Sequence, residues 1–104
     1  MSQFENVTVQ KEANVYFDGK VTSHTITLAD GSRKTLGLLY PGTYRFDTGV
    51  AEVMEIIAGK CRVRLADQEV WQEYQAGSFF EVPGNSFFEI DVEAEITEYV
   101  CSYQ

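Results

Sequence analysis

Gly42 to Gly59 reads GTYRFDTGVAEVMEIIAG, and Gly77 to Pro83 reads GSFFEVP. Each is a short run of β-branched and aromatic residues, the types that fill a pleated, half-buried surface, closed by the glycine or proline that ends one. In the first run a carboxylate, Glu52, stands at the head of the largely apolar segment Val53–Ile57. Side chains two apart on a strand share a face, so the register that makes Met54 and Ile56 core residues also turns Glu52 inward, with Glu55 on the opposite face. The two runs therefore predict strands with one inward carboxylate at the mouth of the space they enclose.

The same rhythm extends in both directions. Asn14–Val21 is aromatic up to the Asp18-Gly19 turn, and Val21–Leu28 alternates, with His24, Ile26 and Leu28 on one face and three hydroxyl-bearing residues on the other. Asp30-Gly31 leads to Leu36–Tyr40, which Pro41-Gly42 ends. Downstream come Cys61–Leu65, the aromatic Trp71–Tyr74, the corner Pro83-Gly84-Asn85, Phe87–Val92, and Ile96–Tyr103. No window holds a 3.6-residue period over three turns. The pattern is that of an all-β chain folded as a sandwich or small barrel. Residues 1–13 read as a loose amino-terminal arm with room for a short strand, and residues 14–104 as a single domain. In Ile96–Tyr103, Ile96 and Val100 fall on one face and Tyr99, Cys101 and Tyr103 on the other. That strand is then buried on both sides, either within one subunit or against a second.

Composition excludes several functions. With 104 residues the chain has one domain's worth of core, burying roughly 65% of its unfolded surface. All eight basic residues lie in residues 1–64 with seven acids, and residues 65–104 hold nine acids and no base. A surface of net charge −8 without a basic stripe repels polyanions, so no nucleic-acid partner is expected. No run reaches the ~18 apolar residues of a membrane span, and MSQFENVTVQ lacks the features of a leader, so a cytoplasmic protein is expected. In that compartment Cys61 and Cys101 are expected as free, buried thiols.

Few residues carry chemistry. Glu52 has two readings: a strand-end carboxylate that caps backbone donors or pairs with a cation, or a desolvated group of raised pKa able to act as acid or base. Ser32-Arg33-Lys34-Thr35 mixes two cations with hydroxyls at a turn, an anion seat if it converges and a solvated loop if it does not. Any side-chain charge for a small anion has to come from the first 64 residues. His24 reads as a partly buried histidine beside Ile26 and Leu28. Arg62 and Arg64, alternate residues of one strand, are expected in water or paired with the acidic half.

The spacing of Glu52, six residues, Gly59, and then Gly77, five residues, Pro83, resembles the two motifs of the cupins. That resemblance implies a single-domain, RmlC-like jelly-roll β-barrel. The histidines that usually ligate a metal in cupins are absent: the loop before Glu52 is Asp47-Thr48-Gly49-Val50-Ala51, and Asn85, Phe87 and Phe88 stand after the second motif. One glutamate among hydroxyls is too poor a set for zinc or iron, so no metal and no other cofactor is expected. Phe88, near where a cupin places a ligating side chain, becomes the candidate to stack on a planar ligand.

Taken together, NVYFDGKV (14–21), TLGL (35–38), PGTYRFDT (41–48), Glu52-Val53-Met54 leading to Gly59, WQEY (71–74), Ala76-Gly77 through Val82-Pro83, and YVCSY (99–103) resemble the short single-cupin pyrimidine/purine nucleoside phosphorylases. The likeness spans about residues 14–103. It implies a broad-specificity enzyme that splits nucleosides with inorganic phosphate into free base and pentose 1-phosphate, and a homodimer. For that reaction the inward register of Glu52 and the confinement of cations to residues 1–64 make Glu52 the candidate to hold the ribose hydroxyls or protonate the leaving base, Arg33 with Thr35 or Thr48 the candidate phosphate seat, and Phe88 or Tyr44 the candidate to pack on the base. A non-catalytic cupin that binds a small sugar or metabolite is the alternative from the same residues.

Overall fold

The computed structural model describes residues 3–104. As the alternation predicts, these residues form antiparallel strands, with one 3-10 turn at Phe17–Gly19. One sheet is seven-stranded: β3 (Val21–Thr27), β4 (Arg33–Leu39), β11 (Thr97–Tyr103), β6 (Glu52–Ala58) and β9 (Phe79–Val82) lie side by side, and β1 (Thr8–Val9) and β2 (Asn14–Tyr16) both pair with β3. The second sheet runs β5 (Gly42–Asp47), β10 (Phe87–Val92), β7 (Lys60–Leu65), β8 (Gln72–Gln75). The pairs β4–β11, β5–β10, β6–β9 and β7–β8 nest inside one another, as if one long hairpin had been folded over itself. Among the described residues no ladder joins the two sheets, so the expected closed barrel is here a sandwich. At the edges of the large sheet, β3 is already paired with β1 and β2, and β9 ends after four residues.

The expected loose arm also carries structure, because Val9 pairs with Ile26 and Thr8 with Thr27; its residues 1 and 2 lie outside the described residues. No helix among the described residues is long and apolar enough to cross a membrane.

Alternation places the core between the sheets. Phe88, Ile90, Val92 and Val63 of the small sheet, each at most 2% exposed, face Val21, Leu39, Ile56 and Val82 of the large one. Truncating a side chain such as Phe88 in a core of this kind costs roughly 3–5 kcal/mol. The outer face of the small sheet is charged: Arg62 pairs with Asp91 at 2.7 Å and Arg64 with Glu89 at 2.7 Å, so both arginines meet the acidic half as expected. Cys61 and Cys101 are free and buried.

One face is inverted relative to the sequence reading. On β3 the residues turned inward with Val21 are Ser23 and Thr25, whereas His24 is exposed. Register decides this: Ser23 lies opposite Gly37 and Thr25 opposite Thr35, all on the inner surface of the sheet. The buried hydroxyls are satisfied, since Asn14 Nδ2 donates to Ser23 Oγ at 3.1 Å and to Thr25 Oγ1 at 3.0 Å. Ile26, on the outer face with His24, is nevertheless 1% exposed and pairs with Val9 of β1.

Gly37 leaves room for the ring of Tyr99, its partner across β4 and β11. A Cβ at Gly37 would lie 2.3 Å from the Tyr99 ring. Gly37→Ala is expected to cost about 1–3 kcal/mol in urea denaturation, and adding Tyr99→Ala, which removes the clash, is expected to make the glycine substitution nearly neutral in that background.

Candidate active site

Asp47 ends β5 and Glu52 begins β6, and a cavity of about 260 Å³ opens between the two sheets at this point. Its walls differ in chemistry because they come from different sheets. The large sheet contributes Ser23, Thr35, Glu52, Tyr99, Cys101 and Tyr103, and the small sheet contributes Phe46, Asp47 and Phe88. Leu39 and Met54 add apolar surface, and Tyr16 approaches from β2.

Strand register builds the polar wall. β11 lies between β4 and β6, and its inward residues alternate: Cys101 faces Thr35 on one side and Met54 on the other, while Tyr103 faces Glu52. The thiol of Cys101 donates to Glu52 Oε1 at 3.4 Å, and Thr35 Oγ1 and the Tyr103 hydroxyl lie 3.4 Å apart. On the opposite wall Phe88 stacks on Phe46, with ring centroids 5.5 Å apart and planes at 26°.

Electrostatics follow from burial. Desolvation raises the Glu52 carboxyl above its ordinary range, and the Cys101 hydrogen bond and the Arg33 charge offset this in part. Burial pushes the Cys101 thiol up to about 12, with the Glu52 charge adding to it, and burial pushes the Tyr103 phenol up to about 12. Burial also lifts the Tyr99 phenol far above its usual value. At neutral pH these three groups are therefore protonated, and Cys101 is no nucleophile, since attack requires the thiolate. What the wall presents is one carboxylate among neutral hydroxyl and thiol groups.

The expected site residues separate into those the fold gathers and those it does not. Glu52 is half-buried in the cavity wall, with Thr35 and Phe88 beside it in the same cavity. Arg33 is exposed at the head of β4, its guanidinium 4.4 Å above the Tyr103 ring, on the rim rather than in the wall. The turn cluster does not converge: Ser32 is bound to Asp30 through its N–H at 2.9 Å and hydroxyl at 2.6 Å, and Lys34 reaches Ser102 on the outer face. Tyr44 and Thr48, expected at the substrate, lie elsewhere. The Tyr44 hydroxyl donates to the Tyr40 carbonyl at 2.7 Å and its ring packs in the core, where Phe17 covers it at 5.0 Å. Thr48 is buried as a staple between loops, donating to the Pro83 carbonyl at 2.7 Å and accepting the Ser86 N–H at 2.9 Å.

Tyr99, Cys101 and Tyr103 were legible as one face of the last strand, but nothing in their spacing ties that face to Glu52. Alternation puts Ser23 on the face opposite His24, Ile26 and Leu28, and a hydrophobic set of that kind is the one expected to turn inward. Phe46 sits in the stretch that carries Glu52, yet only its pairing with Phe88 across β5 and β10 marks it. Among the described residues no three His, Cys, Asp or Glu side chains converge as a metal-ligand set.

The raised pKa of Glu52 has a measurable consequence. A carboxyl whose folded pKa exceeds its unfolded one favours folding most below the unfolded pKa and loses that contribution as pH rises through the folded value. Glu52→Gln removes the ionisation. The variant is therefore expected to gain thermal stability relative to the parent on going from pH 4 to pH 7, as read by paired unfolding curves.

Comparison with known proteins supports the same site-bearing chain as a family member. Residues 11–103 match the family described as pyrimidine/purine nucleoside phosphorylase. A protein of that name from Cupriavidus pinatubonensis is 58% identical over 103 residues, covering 99% of this chain and 97% of its own. A crystal structure of a protein of unknown function from Acinetobacter sp. ADP1 superposes with a TM-score of 0.95 at 47% identity, over 98% of both chains. The Bacillus subtilis oxalate decarboxylase, whose Mn(II) centres have been characterised, aligns at a TM-score of 0.75 and 15% identity over 100% of this chain and 30% of its own, a likeness of fold alone. With a family match across nearly its whole length, the chain belongs to the pyrimidine/purine nucleoside phosphorylase family.

Proposed function

We propose that this protein is a nucleoside phosphorylase that cleaves purine and pyrimidine nucleosides with inorganic phosphate, releasing free base and pentose 1-phosphate. The observation that carries this reading is the half-buried Glu52 set among protonated hydroxyl and thiol donors, directly across the cavity from the stacked Phe46–Phe88 pair. The family name and the identity of about 58% to relatives that bear it support the same reading. The nested strand pairs and the likeness to oxalate decarboxylase support an RmlC-like cupin jelly roll as the scaffold.

The reaction breaks the bond between the anomeric carbon and the base nitrogen. The bonding pair leaves with the base, a phosphate oxygen bonds to the anomeric carbon, and the base takes up the proton that the attacking hydrogen phosphate gives up. Positive charge develops on the sugar in between, and a carboxylate beside it stabilises that charge in a poorly solvated site. In this reading Glu52 accepts the ribose hydroxyls and faces the developing charge, and Thr35 and Tyr103 supply hydroxyls beside it. The stacked pair offers one aromatic surface, with the half-buried Phe46 foremost and Phe88 behind it, against one face of the base. Stacking does not read hydrogen-bonding edges, which suits acceptance of both purines and pyrimidines. Arg33, held over Tyr103 at the rim, draws phosphate.

A homodimer belongs to the same reading. Leu36, Ile57 and Phe79 are exposed on the outer face of the large sheet, 36%, 51% and 59% respectively, and Val100 lies among them. Sedimentation velocity is expected to give a dimer for the parent and a monomer for Ile57→Asp combined with Phe79→Asp.

The deciding assay incubates purified protein with inosine or uridine, with and without inorganic phosphate, and follows free base. Release that requires phosphate is expected; no release across a nucleoside panel sinks the reading and favours a small-sugar binder. Glu52→Gln is expected to lower kcat by about 10²-fold or more, the scale of losing a group that stabilises transition-state charge. Arg33→Ala is expected to raise the KM for phosphate about tenfold and leave that for nucleoside nearly unchanged.

A further inference from the structure

β11 touches both the strand that carries Arg33 and the strand that carries Glu52, and its inward residue midway along that contact is Cys101. Cys101 is 3% exposed and borders the cavity, so its surroundings are set by packing rather than by solvent. The Thr35 and Tyr103 hydroxyls flank the sulfur and lie within 3.4 Å of one another. The strong acceptor left within reach of the S–H is Glu52 Oε1, at 3.4 Å. Free and buried, the thiol remains an S–H donor across the neutral range.

We propose that Cys101 is a positioning residue for Glu52: its S–H fixes the carboxylate in the rotamer that lines the cavity and favours the ionised form. This rests on the reading of Glu52 as the working carboxylate. A cysteine suits the task because it is small and apolar enough to sit beside Met54 in a close-packed row while offering one weak donor. A hydrogen bond made to the charged form lowers a carboxyl pKa, so the thiol opposes the desolvation that raises it. The other titratable groups that act on Glu52 or share its cavity are Arg33 from β4, Tyr99 and Tyr103 from β11 and Tyr16 from β2; Asp47 ends β5 at the cavity's edge with its carboxylate turned to Arg45 on the outer face, and β9 presents Val82, which does not titrate. Of these, Tyr103 also borders the Cys101 sulfur.

The test titrates the Glu52 carboxyl carbon by 13C NMR in the parent and in Cys101→Ala, Cys101→Val and Cys101→Ser, alongside the pH profile of phosphate-dependent base release. The two variants without a donor are expected to raise the Glu52 midpoint by roughly half to one pH unit, and Cys101→Ser to return it to the parent value or below. The limb of the pH profile that reports Glu52 is expected to move in step. An unchanged midpoint in Cys101→Val, or a serine variant that shifts as far as alanine, overturns the proposal. If the midpoints move as expected while the parent itself releases no base, the positioning role stands and the phosphorylase reading falls.

Discussion

The register of β11 between β4 and β6 is the constraint on which the rest depends. The terminal strand pairs with segments that begin roughly 60 and 45 residues earlier in the chain, and its two neighbours reach each other only through it. A slip of one residue would turn Tyr99, Cys101 and Tyr103 to the outside and bring Val100 and Ser102 into the cavity. Several features oppose that slip. Tyr99 lies over Gly37, where a Cβ would collide with its ring, and Thr97 is fully buried with its hydroxyl donating to the Lys60 carbonyl at 2.9 Å.

Alternation along the strands of both sheets separates the charges. Arg62, Arg64 and Arg45 lie on the outer face of the small sheet, where they meet Asp91, Glu89 and Asp47, and Arg45 stacks over Phe87 at 3.8 Å. Exposed pairs of this kind contribute little to stability. Their effect is positional, since they hold cations away from the cavity. Lys34 points to the outer face of the large sheet, and Arg33, one residue earlier, takes the inner face at the rim. A neutral sugar beside a carboxylate and an anion at the rim is the arrangement such a separation favours.

The two sheets also divide the aromatic residues by task. Phe88 and Phe46 form a stacked wall because they are directly opposed on β10 and β5, with Phe80 set against Phe88 edge-on behind them. Tyr44, two residues from Phe46 on the same face, is deeper in the core, and its phenol is spent on the turn at Tyr40 and Pro41. Polar demand explains the difference: a buried phenol needs a partner, and the turn carbonyls supply it.

The all-β class, most strand positions, the inward direction of Glu52 and the absence of cations beyond residue 64 are legible in the amino-acid order alone. These follow from a two-residue period, from turn residues and from counting charge, all of which are local. That order also carries the family, because a long set of short motifs in order is more specific than any one of them. On β3 the hydrophobic pattern of His24, Ile26 and Leu28 is local and points to the wrong face, whereas pairing of Ser23 with Gly37 and of Thr25 with Thr35 on another strand turns the opposite face inward. That Cys101 meets Glu52, that Phe46 meets Phe88, and that Tyr44 and Thr48 serve turns and loops instead of the cavity emerges once the strands are paired. Each of those contacts joins residues far apart in the chain, and register across strands, which no local period encodes, is what brings them together.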